Sequence, residues 1–115
     1  MTPCNCTRLV KEWLHAVALH DVNAVLTKYD RNAILVATLA PAPLRGKAIT
    51  NYFQDFLSKP FLYGQLDEIF CQRLTSTECV ASGLYTFHYV ESNRQWVSVP
   101  ARFTYVFRKT PRGWL

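Results

Sequence analysis

With 115 residues and 13.3 kDa, of which 50% are hydrophobic, 14% aromatic and only 18% charged, the chain has the makeup of one globular domain over residues 1–115, and general disorder is excluded. Its formal charge of +5 is spread from Arg8 to Arg112 instead of massing in one tract, so nucleic acid is not an expected partner. No apolar run is long enough for a membrane span and none follows a basic start as in a signal peptide, so no membrane partner is expected.

Residues 1–6 read as an irregular lead. Thr7 then serves as a helix N-cap, and Val10, Trp13, Leu14 and Val17 recur at the spacing of one helix face. Asp21 caps a second, shorter helix carrying Val22, Val25, Leu26 and Tyr29, while His15 and His20 fall on polar or terminal positions. Residues 33–39, short, apolar and partly β-branched, predict a buried strand that Pro41 and Pro43 terminate. A third helix over residues 47–57 presents Ile49, Tyr52, Phe53, Phe56 and Leu57 on one broad face and stops before Pro60. Residues 65–74 are strand-like and end in a turn at 75–78.

Two longer runs, 80–90 and 97–108, joined by the polar link 91–95, predict a hairpin. Side chains alternate across a strand, so Tyr85, Phe87 and Tyr89 share a face, as do Phe103, Tyr105 and Phe107. Leu84, Thr86 and His88 take the opposite face, like Arg102, Thr104 and Val106. A last turn at 110–113 precedes Trp114 and Leu115, where another strand would open, so the final strand reads as cut short. The order is that of an α+β domain with helices on one face of an antiparallel sheet.

Cys4, Cys6, Cys71 and Cys79 show neither paired Cys-x2-Cys spacing nor a nearby histidine, so no metal site is expected, nor is any cofactor. Cys4-Asn-Cys6 could capture a metal or oxidise, but reads first as a frayed N-terminus with two unremarkable thiols, and thiols not arranged as a framework make a reducing cytoplasm the default location.

The helix, helix, strand, helix, sheet order resembles the nuclear-transport-factor-two-like (SnoaL-like) superfamily. The segments that carry the resemblance are Lys28-Tyr29-Asp30, Arg45-Gly46, Lys59-Pro60, residues 83–87, and residues 101–108 followed by Gly113-Trp114. More narrowly the chain is similar to bacterial proteins related to the association domain of calcium/calmodulin-dependent kinase II. The resemblance implies a cystatin-like cone, three N-terminal helices packed in a strongly curved antiparallel sheet, with a deep pocket at the open end. It also implies dimers or larger rings that associate through the sheet's outer face, and matches Arg102 to the superfamily's pocket arginine. Relatives continue past Gly-Trp into a strand with paired histidines, before which this chain stops. The superfamily holds isomerases, cyclases, hydrolases and dehydratases beside binding and assembly modules, so the fold selects no reaction. An isomerase also needs a carboxylate base, and residues 33–39 offer no Asp or Glu.

These readings combine into an expected site. Arg102, Thr104, Thr86 and His88 would line one pocket, with Trp13, Tyr52 and Phe56 as walls and a guanidinium suited to a carboxylate. The bland counterpart pairs Arg102 with Asp67 or Glu68 and leaves His88 hydrogen-bonded at the sheet edge. The aromatic face, Tyr85, Phe87, Phe103, Tyr105 and Phe107, would form a homodimer interface. The expected function is a dimeric binding protein for a small polar-ended or carboxylate ligand. The alternatives are an isomerase, cyclase or hydrolase using His88 as base, and an oligomerisation module.

Overall fold

The computed structural model describes residues 5–37 and 40–115. Helix α1 (Cys6–Ala18) begins earlier than expected, because the cap is Asn5, whose side-chain oxygen accepts from the Arg8 N–H at 3.1 Å. Thr7 lies inside the first turn. Val10, Trp13, Leu14 and Val17 are buried, as their spacing predicts. Helix α2 (Val22–Leu26) is capped by Asp21, which accepts from the Ala24 N–H at 3.1 Å. Strand β1 (Ile34–Leu35) pairs antiparallel with β2 (Leu44–Arg45), a small ribbon that replaces the longer buried strand expected over 33–39. Leu35 is buried, but Ile34 and Val36 face solvent, since a ribbon with one neighbour covers one side only. The end of that expected strand, Thr38 and Leu39, lies outside the described residues, as does most of the expected lead. Helix α3 (Lys47–Phe56) buries Ile49, Phe53 and Phe56.

The main sheet contains β3 (Tyr63–Arg73), β4 (Glu78–Val90), β5 (Trp96–Thr110) and the short β6 (Gly113–Trp114), antiparallel throughout and in chain order. A bulge between Leu66 and Glu68 shifts the β3–β4 register and curves the sheet. With helices packed in its curve, the molecule has the expected α+β, cystatin-like architecture. The β4–β5 register sets three of the inward rings against small residues: Tyr85 opposite Ala101, Phe103 opposite Gly83, Tyr105 opposite Ala81. The rings lean across the strands and meet one another, Tyr85 on Phe103 at 4.7 Å and Phe103 on Tyr105 at 5.3 Å between centroids.

β6 covers only the end of β5, at Lys109 and Thr110, with Arg108 and Leu115 exchanging both backbone hydrogen bonds at 2.9 and 3.0 Å. Residues sharing the parity of Arg108 aim their backbone groups at that outer edge. Pro100 is one of them, so its missing N–H removes no bond to β4.

The sheet corrects the expectation for the aromatic face. Tyr85, Phe87 and Phe103 are buried against the helices, and Tyr105 and Phe107 are half-buried against the same core. The rings form the inner lining of the cone, because only this face can offer the area the three helices need to bury. Arg102, Thr104, Thr86 and His88 consequently belong to the convex outer face.

The cysteines are corrected as well. Cys6, in the first turn of α1, is disulfide-bonded to Cys71 of β3, its sulfur lies 3.4 Å from that of Cys79, and no described cysteine is a free thiol. No described helix is long and apolar enough to cross a membrane.

Gly83 marks the tightest point of the sheet. A Cβ there would lie 2.0 Å from the Glu68 carbonyl oxygen at the bulge and 2.9 Å from the Phe103 ring. Gly83→Ala is expected to destabilise by about 1–3 kcal/mol through overpacking, read as a lowered urea midpoint. A midpoint equal to wild type would show that bulge and ring relax freely.

Candidate functional site

Trp13 organises the interior of the cone. Its ring stacks on Tyr85 (centroids 5.9 Å, planes 12° apart) and meets Phe53 and Phe87 edge-on at 6.3 and 6.1 Å. The helical spacing that buries Val10 and Val17 turns the indole of α1 into the sheet, and its Nε1–H donates to the Tyr29 hydroxyl at 3.1 Å. The hydroxyls of Tyr85 and Tyr105 share a hydrogen bond of 2.8 Å. Burial holds the Tyr29 hydroxyl far above its ordinary pKa, against a smaller lowering by the Trp13 N–H. Burial raises Tyr85 as well; it raises Tyr105 strongly, with added repulsion from Tyr85 and Tyr29. All three stay protonated, and are donors, at any physiological pH.

Beside these groups lies a cavity of about 390 Å³. Its lining comes from α1 (Trp13), the β1 region (Leu35 to Ala37), α3 (Tyr52, Phe53, Phe56) and the aromatic faces of β4 and β5. None of the cavity's described lining residues is a carboxylate or an imidazole. A neighbouring cavity of about 480 Å³ shares Trp13, Thr104 and Tyr105 with it and opens toward Arg108, Trp114 and Leu115. Two cations around that second cavity are paired within the chain, Arg108 with Asp30 and Lys28 with Glu12 at 3.8 Å, and Glu78 accepts from the Thr75 hydroxyl at 3.2 Å. The Asn32 backbone N–H first, and then Arg108, hold the Asp30 carboxyl below its usual range.

Trp13, Tyr52 and Phe56 all border the first cavity, together with Tyr85, Phe87, Phe103 and Tyr105 from the set expected at a dimer interface. Arg102 and Thr104 reach only its β5 border, their side chains exposed. Thr86 instead donates to Asp67 at 2.7 Å. His88 is 2.8 Å from Ser98 through Nδ1 and stacks on Tyr63 at 4.9 Å, with Nε2 buried and unpartnered on the side away from the cavity. A general base at His88 is thus outside reach of anything in the cone. The hydroxyls of Tyr29, Tyr85 and Tyr105 were not singled out from sequence as a polar group, although the shared parity of Tyr85 and Tyr105 with buried rings pointed inward.

The curved sheet and its three helices give the chain the fold of nuclear-transport-factor-two-like and cystatin-like proteins. Among solved structures, a Xanthomonas campestris protein provisionally described as a calcium/calmodulin-dependent protein kinase II association domain is 28% identical, with a TM-score of 0.88 over 96% of this chain and 79% of that one. A nuclear-transport-factor-two-like protein from Salmonella enterica is 19% identical, with a TM-score of 0.81 over 95% of this chain and 81% of that one. The epoxide hydrolase/cyclase-like enzyme SalBIII of salinomycin pyran-ring formation reaches 0.69 at 19% identity, over 94% and 82%. No family model and no curated relative matches the chain.

Proposed function

We propose that the chain is a single-domain, homodimeric binding protein whose cone takes a small ligand with an apolar ring and a neutral polar end. The observation that carries this is the aromatic cavity of about 390 Å³ edged by protonated tyrosine hydroxyls. Two hydroxyls sharing one hydrogen bond leave one O–H to donate, which suits a carbonyl or phenolic oxygen. An anion there would be desolvated without a buried countercharge, since no charged side chain among the described residues is buried. The carboxylate ligand expected from Arg102 is therefore replaced by a neutral one.

The partner surface is the convex face, not the ring face. Phe70 (63% exposed), Leu84 (42%) and Val106 (64%) stand on it, with Tyr63 and Trp96 nearer the hairpin end. Such a run of exposed apolar groups on one face marks an association surface. The description of the Xanthomonas protein as an association domain supports the same reading. The Cys6–Cys71 bond favours an oxidising compartment over the cytoplasm expected from the sequence.

A thermal-shift series with neutral aryl ketones and phenols, against benzoates of matched size, tests the ligand class. A neutral compound at 100 times its Kd adds about 2.7 kcal/mol of stability. Tyr85→Phe combined with Tyr105→Phe, which removes both hydroxyls of the pair, is expected to weaken that compound roughly 5- to 10-fold, the worth of one hydrogen bond. Benzoates stabilising the protein as well as the neutral compounds, with no loss in the double variant, would remove these hydroxyls from recognition.

A further inference from the structure

Across the convex face the register sets three side chains in one straight row: Glu68 on β3, Leu84 on β4 and Arg102 on β5. All three are exposed. Neither Arg102 nor Glu68 has an ion pair or a side-chain hydrogen bond among the described residues, although opposite charges flank the same leucine. Asp67, the other acid near this row, already accepts from Thr86. The row thus carries a positive end, an apolar centre and a negative end, each charge displaced by one strand spacing, about 4.8 Å, from β4.

A surface of this pattern is complementary to itself under one kind of twofold axis. An axis running along β4 between two stacked sheets places β5 of one copy over β3 of the other and Leu84 over Leu84. Arg102 of each copy then meets Glu68 of the second copy. An axis across the strands would instead set Arg102 against Arg102 and Glu68 against Glu68. Like charges repel, and like-charge juxtaposition is costly enough to select between packings.

We infer that two copies of this chain pack convex face to convex face about an axis nearly parallel to β4, with reciprocal Arg102–Glu68 ion pairs closing over a central Leu84 contact. This rests on the homodimer reading above and specifies its geometry. Sheets packed face to face lie about 10 Å apart with their strands within roughly 30° of one another, a gap that an arginine and a glutamate span together. Isologous contact makes both pairs form at once, and their exposed position in each free chain means that little is lost by the monomer.

The test is a charge exchange read by light scattering on size-exclusion fractions, with circular dichroism confirming that each variant is folded. Arg102→Glu and Glu68→Arg are each expected to weaken the homodimer at least 10-fold, because each creates two like-charge contacts. Mixing the two variants restores a dimer, a heterodimer in which both contacts are again opposite in sign. The double exchange in one chain restores the homodimer too. Arg102→Gln and Glu68→Gln, which alter charge without repulsion, fall between wild type and the reversals. A monomeric wild type overturns the homodimer reading and this geometry with it. A dimeric wild type whose single reversals stay dimeric, or whose mixture stays monomeric, overturns the pairing and leaves the homodimer reading in place.

Discussion

Replacing Cys6 and Cys71 together by serine is expected to lower the unfolding free energy by about 2–4 kcal/mol and the melting midpoint by roughly 10–20 °C. The bond spans a sequence separation of 65 residues, and closing a loop of that length removes much of the freedom of the unfolded chain. It also fastens the first turn of α1 to β3, at the end of the helix farthest from its cap at Leu19. The paired substitution is cleaner than either single one. With Cys71 gone, the thiol of Cys6 would lie 3.4 Å from the Cys79 sulfur, close enough for exchange to scramble the result. Denaturant melts of the double variant against wild type, both without reductant, give the difference. Thiol titration showing Cys6 and Cys71 unpaired in the unreduced wild type would sink the claim, as would superimposable melts.

That bond also shows what sequence reading could not reach. Cys6 and Cys71 are distant in the chain, and only the packing of α1 against β3 brings their sulfurs together. Spacing rules for metal sites and small disulfide frameworks have no purchase on a pair joined by tertiary contact. Period-based signals fared better. The three-and-four spacing of Val10, Trp13, Leu14 and Val17, the face of α3, and the alternation of the hairpin all survive in the structure, because each is set by local geometry.

What alternation alone leaves open is which face of a strand turns inward. Alternation separates a face of rings from a face of Arg, His and Thr on β4 and β5, and the structure turns the rings, not the polar face, toward the helices. The small residues decide it. Ala81, Gly83 and Ala101 stand opposite Tyr105, Phe103 and Tyr85, and such large-to-small pairing serves a packed interior, where rings need room to lean. The cavity's walls were legible for the same reason that helices were: Trp13, Tyr52 and Phe56 fall on faces fixed by helical period. Its polar groups were not, since a tyrosine in an aromatic face gives no sign of where its hydroxyl ends.

Those hydroxyls control the response to alkali, where the largest effect is expected. Tyr29, Tyr85 and Tyr105 all have folded-state pKa values raised by burial above the ordinary value of 10.0. Below pH 10 both folded and unfolded chains hold these protons, and their contribution to stability is fully present. Above it the unfolded chain releases protons that the folded chain retains, so stability falls as pH rises through the interval up to the folded values. Each such group removes about 1.4 kcal/mol per pH unit. Over the interval in which the folded chain keeps more than one of these protons, the slopes add. Urea midpoints measured at half-unit steps from pH 9 should therefore fall as pH rises, and Tyr105→Phe should flatten that fall, whatever it does to stability at neutral pH. The phenylalanine variant keeps the ring that packs beside Trp13 and loses the hydroxyl with its hydrogen bond to Tyr85, so the change in pH slope, and not the stability at neutral pH, reads the titration. If wild type and Tyr105→Phe lose stability in parallel above pH 10, then Tyr105 ionises without cost in the folded chain, and the cone admits charge that its burial should refuse.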